Sequence, residues 1–207
     1  MMFYFVKTPW LLKMVYPHCV WHMPGKDKIM YLTFDDGPHP EVTPWVLDTL
    51  ARFQAKATFF CLGKNVAVYP EVYRQVLQAG HAVGNHTYQH VNGWEVSDEK
   101  YIQEVRQAAA YIDTTLFRPP YGRIRRKQIK LLKEVYPVQI IMWDVLSADF
   151  DTQLSAEQCA DNVMEKGAPG SIVIFHDSAK AYERLKGALP KVLEYFSEQG
   201  YRFNSIK

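Results

Sequence analysis

Two adjacent aspartates and two histidines are the residues of this sequence whose types and spacing favour metal chemistry. Asp35 and Asp36 lie in the segment TFDDGP, and His86 and His90 lie in HTYQH. Adjacent carboxylates repel each other when both are ionised, so a nearby cation is expected to hold at least one of them charged. Two imidazoles and one carboxylate can bind a divalent ion and leave positions open for water and substrate. We therefore predict that an aspartate of this pair joins the two histidines in a metal site.

Each of these segments alone has a simpler interpretation. TFDDGP is also typical of an Asp-Gly turn with a solvated acid, and HxxxH is a common pattern of surface histidines. We expect His86 and His90 to lie on one helical turn, because side chains four residues apart share a face of a helix. The metal hypothesis thus requires that the two segments meet in the fold.

Two further segments place polar groups where they could assist hydrolysis. In RPPYG, two prolines restrict the backbone, so that Arg118 could pair with an aspartate and the Tyr121 N–H could face a developing oxyanion. His176 ends the apolar run IVIFH, and Asp149 in WDVLSADF could be its carboxylate partner. Such a partner raises the pKa of an imidazole and keeps it available as a proton donor. Standing alone, RPPYG would be a rigid turn with a surface arginine.

The elements that must position these residues alternate along the chain from residue 29 onward. Short apolar runs and amphipathic stretches of helical length follow one another, which is typical of repeated β-α units. We predict seven strands, at residues 29–34, 57–62, 81–84, 116–118, 138–142, 171–175 and 201–203. The polar residues described above follow several of these strands directly, and the carboxyl ends of parallel strands share one edge of a sheet. The pattern therefore predicts an α/β fold with a barrel-like sheet.

Four helices are predicted from their capping residues. Thr43 is taken as the N-cap of a helix ending near residue 53, Ser97 as that of a helix to about 113, and Ser155 as that of a helix stopping at Gly167. A last helix, at about 182–199, contains Pro190. Proline inside a helix removes one hydrogen bond and clashes with the preceding turn, so we expect a kink there or two shorter pieces.

The composition is that of an ordinary globular protein. With 207 residues, 48% of them hydrophobic, and a net charge of +2, we expect a single domain spanning 1–207, with the motifs within about 29–180. Basic residues are scattered apart from one run at 123–127, so no nucleic-acid partner is expected. The sequence contains no apolar stretch long enough for a membrane span and no apolar run typical of a signal peptide. We therefore expect a cytoplasmic protein, and no feature predicts an oligomeric state.

Taken in order, TFDDGP, HTYQH, RPPYG, WDVLSADF and IVIFHD resemble the five motifs of the polysaccharide deacetylases, the NodB-homology or carbohydrate esterase family 4 group. The resemblance covers about residues 31–177. It implies a distorted (β/α) barrel that removes acetyl groups from an N-acetylated carbohydrate, such as an N-acetylglucosamine polymer or oligomer, and releases acetate. It also implies one divalent metal ion, usually zinc and in some members cobalt, nickel or iron.

The resemblance also implies a role for each polar position. Asp35 would be the general base, and His176 would be the general acid. Asp36 would bind the metal together with His86 and His90. These assignments separate the two adjacent aspartates, which the spacing alone does not.

The remaining motif residues would act around this centre. Arg118 would orient the general base, Asp149 would tune the general acid, and the Tyr121 amide would help to bind the oxyanion. Phe150 and Ile174 would line the pocket for the acetyl methyl group, where many members have tryptophan and leucine. Both replacements are apolar and should retain a pocket of methyl size.

Three other functions compete with this interpretation. The same machinery could remove O-acetyl groups from a xylan-type polymer. A non-catalytic sugar-binding protein could keep the fold without the reaction. Two histidines and one carboxylate also form the facial triad of iron oxygenases, although that chemistry does not require a paired Asp-Asp, RPPYG or a separate histidine-acid pair.

Overall fold

Eight short strands pair side by side in parallel, and a ninth pairs with one of them outside this row. The computed structural model describes residues 4–207. The strands are β1 (Cys19–Val20), β2 (Ile29–Asp35), β3 (Ala57–Cys61), β4 (Ala82–Asn85), β5 (Leu116–Phe117), β6 (Gln139–Ile141), β7 (Val145–Leu146), β8 (Ile172–His176) and β9 (Arg202–Phe203). Their order is β1-β6-β5-β4-β3-β2-β8-β7, with β9 beside β2.

The sheet is strongly curled, as the connection between β6 and β7 requires. These strands are six positions apart in the sheet, which would be about 29 Å if the sheet were flat. Only Met142, Trp143 and Asp144 join them, and such a linker spans at most about 14 Å. The sheet therefore curls until its two ends approach each other, which is the expected distorted (β/α) barrel.

The predicted number of seven strands is wrong. All seven predicted runs are found within one or two residues of their expected ends, but β1 and β7 were not predicted. Each has only two residues, but β5 and β9 are equally short and were predicted, so length alone does not explain why β1 and β7 were missed. Their pairing depends on distant segments, β1 with β6 and β7 with β8.

The N-terminal segment packs against the joint between the two ends of the sheet. Lys7 forms an antiparallel bridge with Val145 of β7, and His22 forms another with Ser171 before β8. Lys7 and Lys13 donate hydrogen bonds to the two carboxylate oxygens of Asp144, at 2.6 and 2.8 Å. This buried carboxylate thus ties the N-terminal segment to the barrel.

Eight helices are found in the described residues: α1 (Trp10–Val15), α2 (Val42–Arg52), α3 (Gly63–Val68), α4 (Pro70–Gln78), α5 (Asp98–Ala109), α6 (Arg126–Val135), α7 (Ala156–Lys166) and α8 (Tyr182–Glu198). Two predicted caps are confirmed, since Ser97 accepts from Lys100 N and Ser155 accepts from Gln158 N. The helix after Ser97 ends at Ala109, earlier than expected. Among residues 4–207, no helix has the length and apolarity required to span a bilayer.

One helix prediction is wrong, and for a second the structure contradicts one of its two alternatives. Thr43 lies inside α2, and His39 Nδ1 instead accepts from Glu41 N and Val42 N at the start of this helix. Pro190 does not divide the last helix, which runs from Tyr182 to Glu198 as one element. The cost of an internal proline is about 3 kcal/mol. Burial of the apolar side chains on both sides of it offsets that cost, namely Leu185, Leu189, Val192, Leu193 and Phe196.

The largest apolar cluster lies between the strands and their helices. Phe34 of β2 stacks between Phe59 and Phe175, with ring centres 5.0 and 6.0 Å apart. The three cysteines are buried and unpaired. The central strands are thus fixed by packing on both sides, and their carboxyl ends are held in a constant relation to one another.

Candidate active site

The polar residues of the five motifs meet at one end of the barrel because the strands that carry them are parallel. Asp35 and His176 are the last residues of β2 and β8 and lie opposite each other in the register of these strands. His86 and Arg118 follow β4 and β5 directly. Parallel strands place their carboxyl ends at the same edge, so residues distant in sequence converge there.

Asp36, His86 and His90 form a cluster whose ligand atoms all lie within 4.8 Å of one another. Asp36 Oδ1 is 3.2 Å from His90 Nε2 and 3.7 Å from His86 Nε2. Asp36 is 27% exposed, but its Oδ1 is buried and has no hydrogen-bond donor. An orphaned buried carboxylate oxygen facing two imidazole nitrogens fits a divalent cation, which would satisfy all three atoms.

Hydrogen bonding sets the tautomer of His86 in favour of metal binding. Its Nδ1 lies 2.8 Å from the backbone carbonyl of Arg118, and a carbonyl can only accept, so Nδ1 carries the proton. Nε2 therefore presents a lone pair toward Asp36. Burial lowers the pKa of His86 to about 4, despite the neighbouring Asp35 charge that raises it, so the ring is neutral.

The HTYQH segment is a loop, so the expected helical turn is wrong. His86 follows β4 without entering a helix, and Thr87 and His90 adopt left-handed backbone angles, with φ of 66° and 63°. Asp36 and Tyr121 share this conformation, with φ of 80° and 60°. Such angles cost about 1–2 kcal/mol each for residues with a side chain. The strain is concentrated at the site and is held there by the surrounding structure.

Arg118 is fully buried and makes a hydrogen bond to Asp35. Its Nη1 donates to Asp35 Oδ1 and to Thr33 Oγ1, both at 2.7 Å. Its other nitrogens donate to the carbonyls of Ile141 and Met142. Burial lowers the pKa of Arg118, and the charge of Asp35 raises it. The guanidinium is thus fixed in one position and holds Asp35 beside the metal cluster, 4.0 Å from His86 Nε2.

His176 and Asp149 form a bidentate pair. Asp149 accepts from the His176 backbone N–H at 2.8 Å, and its other oxygen lies 2.7 Å from His176 Nδ1. Burial alone would lower the pKa of His176, but the charge and hydrogen bond of Asp149, together with the charges of Asp36 and Asp35, outweigh it and raise this pKa to about 9. The imidazole is therefore protonated at neutral pH, with Nδ1 donating to Asp149 and Nε2 available to another group.

The three other predicted residues also lie at this end. Tyr121 packs its ring edge-on against His90, with centres 4.5 Å apart. The Phe150 ring lies 5.3 Å from the His176 ring. Ile174 is buried in an apolar cluster that Phe150 also contacts. The roles of the Tyr121 amide and of the methyl pocket stay predictions.

Sequence reasoning missed three supporting residues. Asn65 Nδ2 donates to the Asp36 carbonyl at 2.7 Å. Thr33 bridges Arg118 and the Val173 carbonyl, and its position two residues before Asp35 places both side chains on one face of β2. Asp177 accepts from Gly37 N at 3.1 Å and from Thr43 Oγ1 at 2.5 Å, next to the turn that follows Asp36. Only Thr33 had a signal in the sequence, because the other contacts join distant segments.

The fold and this cluster together define a parallel α/β barrel with a candidate metal centre at the carboxyl ends of its strands. The family model for polysaccharide deacetylase matches residues 22–136. A peptidoglycan-N-acetylglucosamine deacetylase of Bacillus cereus is 35% identical over 195 residues, which cover 91% of each chain. Other relatives are longer, and the chain spans 66% of one and 38% of two more.

Solved structures agree with these similarities. A peptidoglycan N-acetylglucosamine deacetylase crystallised with a hydroxamate-type benzamide aligns with a TM-score of 0.87 at 30% identity, over 96% of this chain and 95% of that one. A pseudoenzyme of the carbohydrate esterase family 4 from Bacillus anthracis aligns with a TM-score of 0.78 at 26% identity, over 90% and 66%. The chain belongs to the polysaccharide deacetylase family.

Proposed function

We propose that this protein is a metal-dependent deacetylase that removes N-acetyl groups from an N-acetylglucosamine-type polymer or oligomer. The observation that carries the proposal is the convergence of Asp36, His86 and His90 beside the Arg118-bound Asp35. Relatives named as peptidoglycan deacetylases support the glycan substrate. Because a pseudoenzyme shares the fold, the proposal depends on these side chains and not on the fold alone.

We infer that the cation is zinc. Two neutral imidazoles and one carboxylate are a donor set that zinc uses in hydrolytic sites, although cobalt, nickel and iron accept the same donors. When bound, a divalent cation supplies Lewis acidity that polarises the acetyl carbonyl and lowers the pKa of water. The iron oxygenase alternative uses similar donors but leaves Arg118, Asp149 and His176 without a role.

Asp35 and His176 supply the two proton transfers. Asp35 takes a proton from the attacking water as the water oxygen bonds to the acetyl carbon. Arg118 keeps the Asp35 carboxylate oriented for this step. The carbonyl oxygen then carries negative charge, which the Tyr121 N–H would stabilise. His176 donates its Nε2 proton to the departing nitrogen as the carbon–nitrogen bond breaks. Acetate and a free amino sugar result.

The apolar residues beside His176 fit a small acyl group. Ile174 is almost fully buried, and Phe150 contacts both the His176 ring and the cluster around Ile174. We propose that these two side chains receive the acetyl methyl group. A longer acyl chain would have to displace buried side chains, so acetyl should be the preferred acyl group.

Acetate release from a panel of acetylated glycans, with and without chelator, tests the proposal. N-acetylglucosamine oligomers should release acetate, and chelator should abolish the release until zinc or another divalent ion is restored. Release from acetyl-xylan alone would favour the O-deacetylase alternative. A wild-type protein that releases no acetate from any glycan with any divalent metal would instead resemble the pseudoenzyme.

A further inference from the structure

Two exposed aromatic side chains, those of Trp94 and Tyr121, lie beside the candidate active site, and neither side chain takes part in the proposed steps. The loop at 91–96 follows His90 directly and exposes 51% of Trp94. Tyr121, on the facing loop, is 61% exposed and packs against the His90 ring. Two large aromatic side chains thus face solvent on the two loops next to the same histidine.

Arg123 joins these loops into one surface. Its guanidinium lies 5.2 Å from the centre of the Trp94 ring and 3.8 Å from the Glu95 carboxylate. Arg123 also lies two residues after Tyr121, whose ring packs against His90 of the candidate metal site.

Hydrogen bonds from the start of α6 hold the Trp94 loop in place. Arg125 donates to the carbonyls of Trp94 and Val96, at 2.7 and 3.0 Å. Gln128 Nε2 donates to the Gly93 carbonyl at 2.8 Å. A loop fixed in this way loses little conformational entropy on binding, so its exposed indole is preorganised for a ligand.

We propose that Trp94 and Arg123 form a binding subsite for the pyranose ring next to the acetylated residue of the glycan. A pyranose has an apolar face of C–H groups, which can stack on an indole, and a rim of hydroxyls, which Arg123 and Glu95 can hydrogen-bond. This subsite rests on the proposed deacetylase function and adds which residues would bind the sugar next to the acetylated one. If Trp94 and Arg123 receive this neighbouring ring, a chain of sugars should bind more tightly than a single sugar.

Steady-state kinetics of a Trp94→Ala variant test this subsite. The KM for an N-acetylglucosamine tetramer should rise on the order of tenfold, from loss of the stacked apolar area. The kcat should be unchanged, and so should hydrolysis of 4-nitrophenyl acetate, which has no neighbouring sugar. Trp94→Phe should restore most of the affinity, and Trp10→Ala, which removes an exposed indole on α1, should behave as wild type. An unchanged KM for the tetramer, or an equal loss on both substrates, would overturn the subsite.

Tetramer binding measured by calorimetry separates this inference from the deacetylase proposal. In the zinc-loaded Asp35→Asn background, where turnover is suppressed, adding Trp94→Ala should weaken binding about tenfold. If tetramer binding depends on Trp94 but the wild type releases no acetate, the subsite is supported and the deacetylase activity is rejected. If the wild type releases acetate but tetramer binding is the same with and without Trp94, the activity is supported and the subsite is rejected.

Discussion

The side chains of the two adjacent aspartates meet different partners, which fits the different roles proposed for them. Asp35 accepts a hydrogen bond from a buried arginine, and Asp36 faces two imidazoles with an oxygen that has no donor. The guanidinium of Arg118 favours the ionised form of Asp35, and a cation bound by Asp36 and the two imidazoles would do the same for Asp36, although the two carboxylates are neighbours in sequence. The sequence predicted which residues meet, whereas the division of labour between the aspartates required the family resemblance and is consistent with their contacts.

The pH dependence of activity should report on the His176–Asp149 pair. His176 has to be protonated to donate, so kcat/KM should fall as the pH rises through its pKa, which Asp149 raises from 6.5 toward about 9. Asp149→Asn removes the charge that raises this pKa, so the alkaline limb should move down by about one unit or more. A pH–rate profile of both proteins measures this shift. An alkaline limb at the same pH in Asp149→Asn would remove Asp149 from this role.

Asp177 should act as a positioning residue for the metal site. It binds Gly37 N and Thr43 Oγ1, and a Cβ at position 37 would lie 2.0 Å from its carboxylate, so it fixes the turn immediately after Asp36. Asp177→Ala should weaken zinc binding about 10- to 100-fold, and Asp177→Asn should retain more affinity because it still accepts from Gly37 N. Calorimetric zinc titration measures both, with exposed Asp48→Asn as control. Equal zinc affinity in wild type and Asp177→Ala would contradict this role.

At the level of elements, the long buried strands were predictable, whereas the two-residue strands were predicted only in part, β5 and β9 but not β1 and β7. β2, β3 and β8 are apolar runs of five to seven residues, whose hydrophobicity marks them in the sequence. β1, β7 and the HTYQH loop depend on partners far away in the chain. The start of α2 was misplaced for the same reason, since Thr43 binds Asp177 from the other side of the barrel.

His81, at the junction of α4 and β4, should make stability depend on pH. Its Nδ1 accepts from Ala57 N at the start of β3, and burial lowers its pKa to about 4, so the folded state holds it neutral. Between pH 6.5 and 4 the unfolded chain binds a proton at His81 that the folded chain does not. The stabilisation of the folded state by neutral His81 should therefore be lost as the pH falls through that window.

Urea unfolding of His81→Gln at several pH values tests this element. The variant should be less stable than wild type at pH 7. Between pH 7 and 4 its free energy of unfolding should fall by on the order of 1–2 kcal/mol less than that of wild type. His18→Gln, which changes an exposed histidine, should follow the wild-type curve. Parallel curves for wild type and His81→Gln would show that His81 does not titrate in this way.

For the molecule as a whole, Asp144 should secure the closure of the barrel. It lies in the three-residue link between β6 and β7 and accepts from Lys7, Lys13 and Ser171. Burial would raise the pKa of Asp144, but these donors lower it to about 2. The stabilisation by the Asp144 carboxylate should therefore be present above pH 4 and lost as the pH falls toward 2. Asp144→Asn should cost about 1–3 kcal/mol in urea unfolding at pH 7, since the lysines are partly exposed.

Exposed Glu165→Gln, which removes a surface ion pair with Lys166, should change the free energy of unfolding by less than about 1 kcal/mol. If Asp144→Asn is as stable as this control, the N-terminal segment is not held through Asp144. The closure itself was not predictable from sequence, because it follows from strand order and not from any local pattern.

Zinc titration into metal-stripped protein, followed by calorimetry, tests the central claim most directly, because the adjacent aspartates provide a matched pair of variants. Wild type and Asp35→Asn should each bind one zinc ion per chain with similar affinity, and Asp36→Asn should bind at least about 100-fold more weakly. Unchanged zinc affinity in Asp36→Asn, or loss of binding in Asp35→Asn alone, would contradict the metal site on which the proposed function rests.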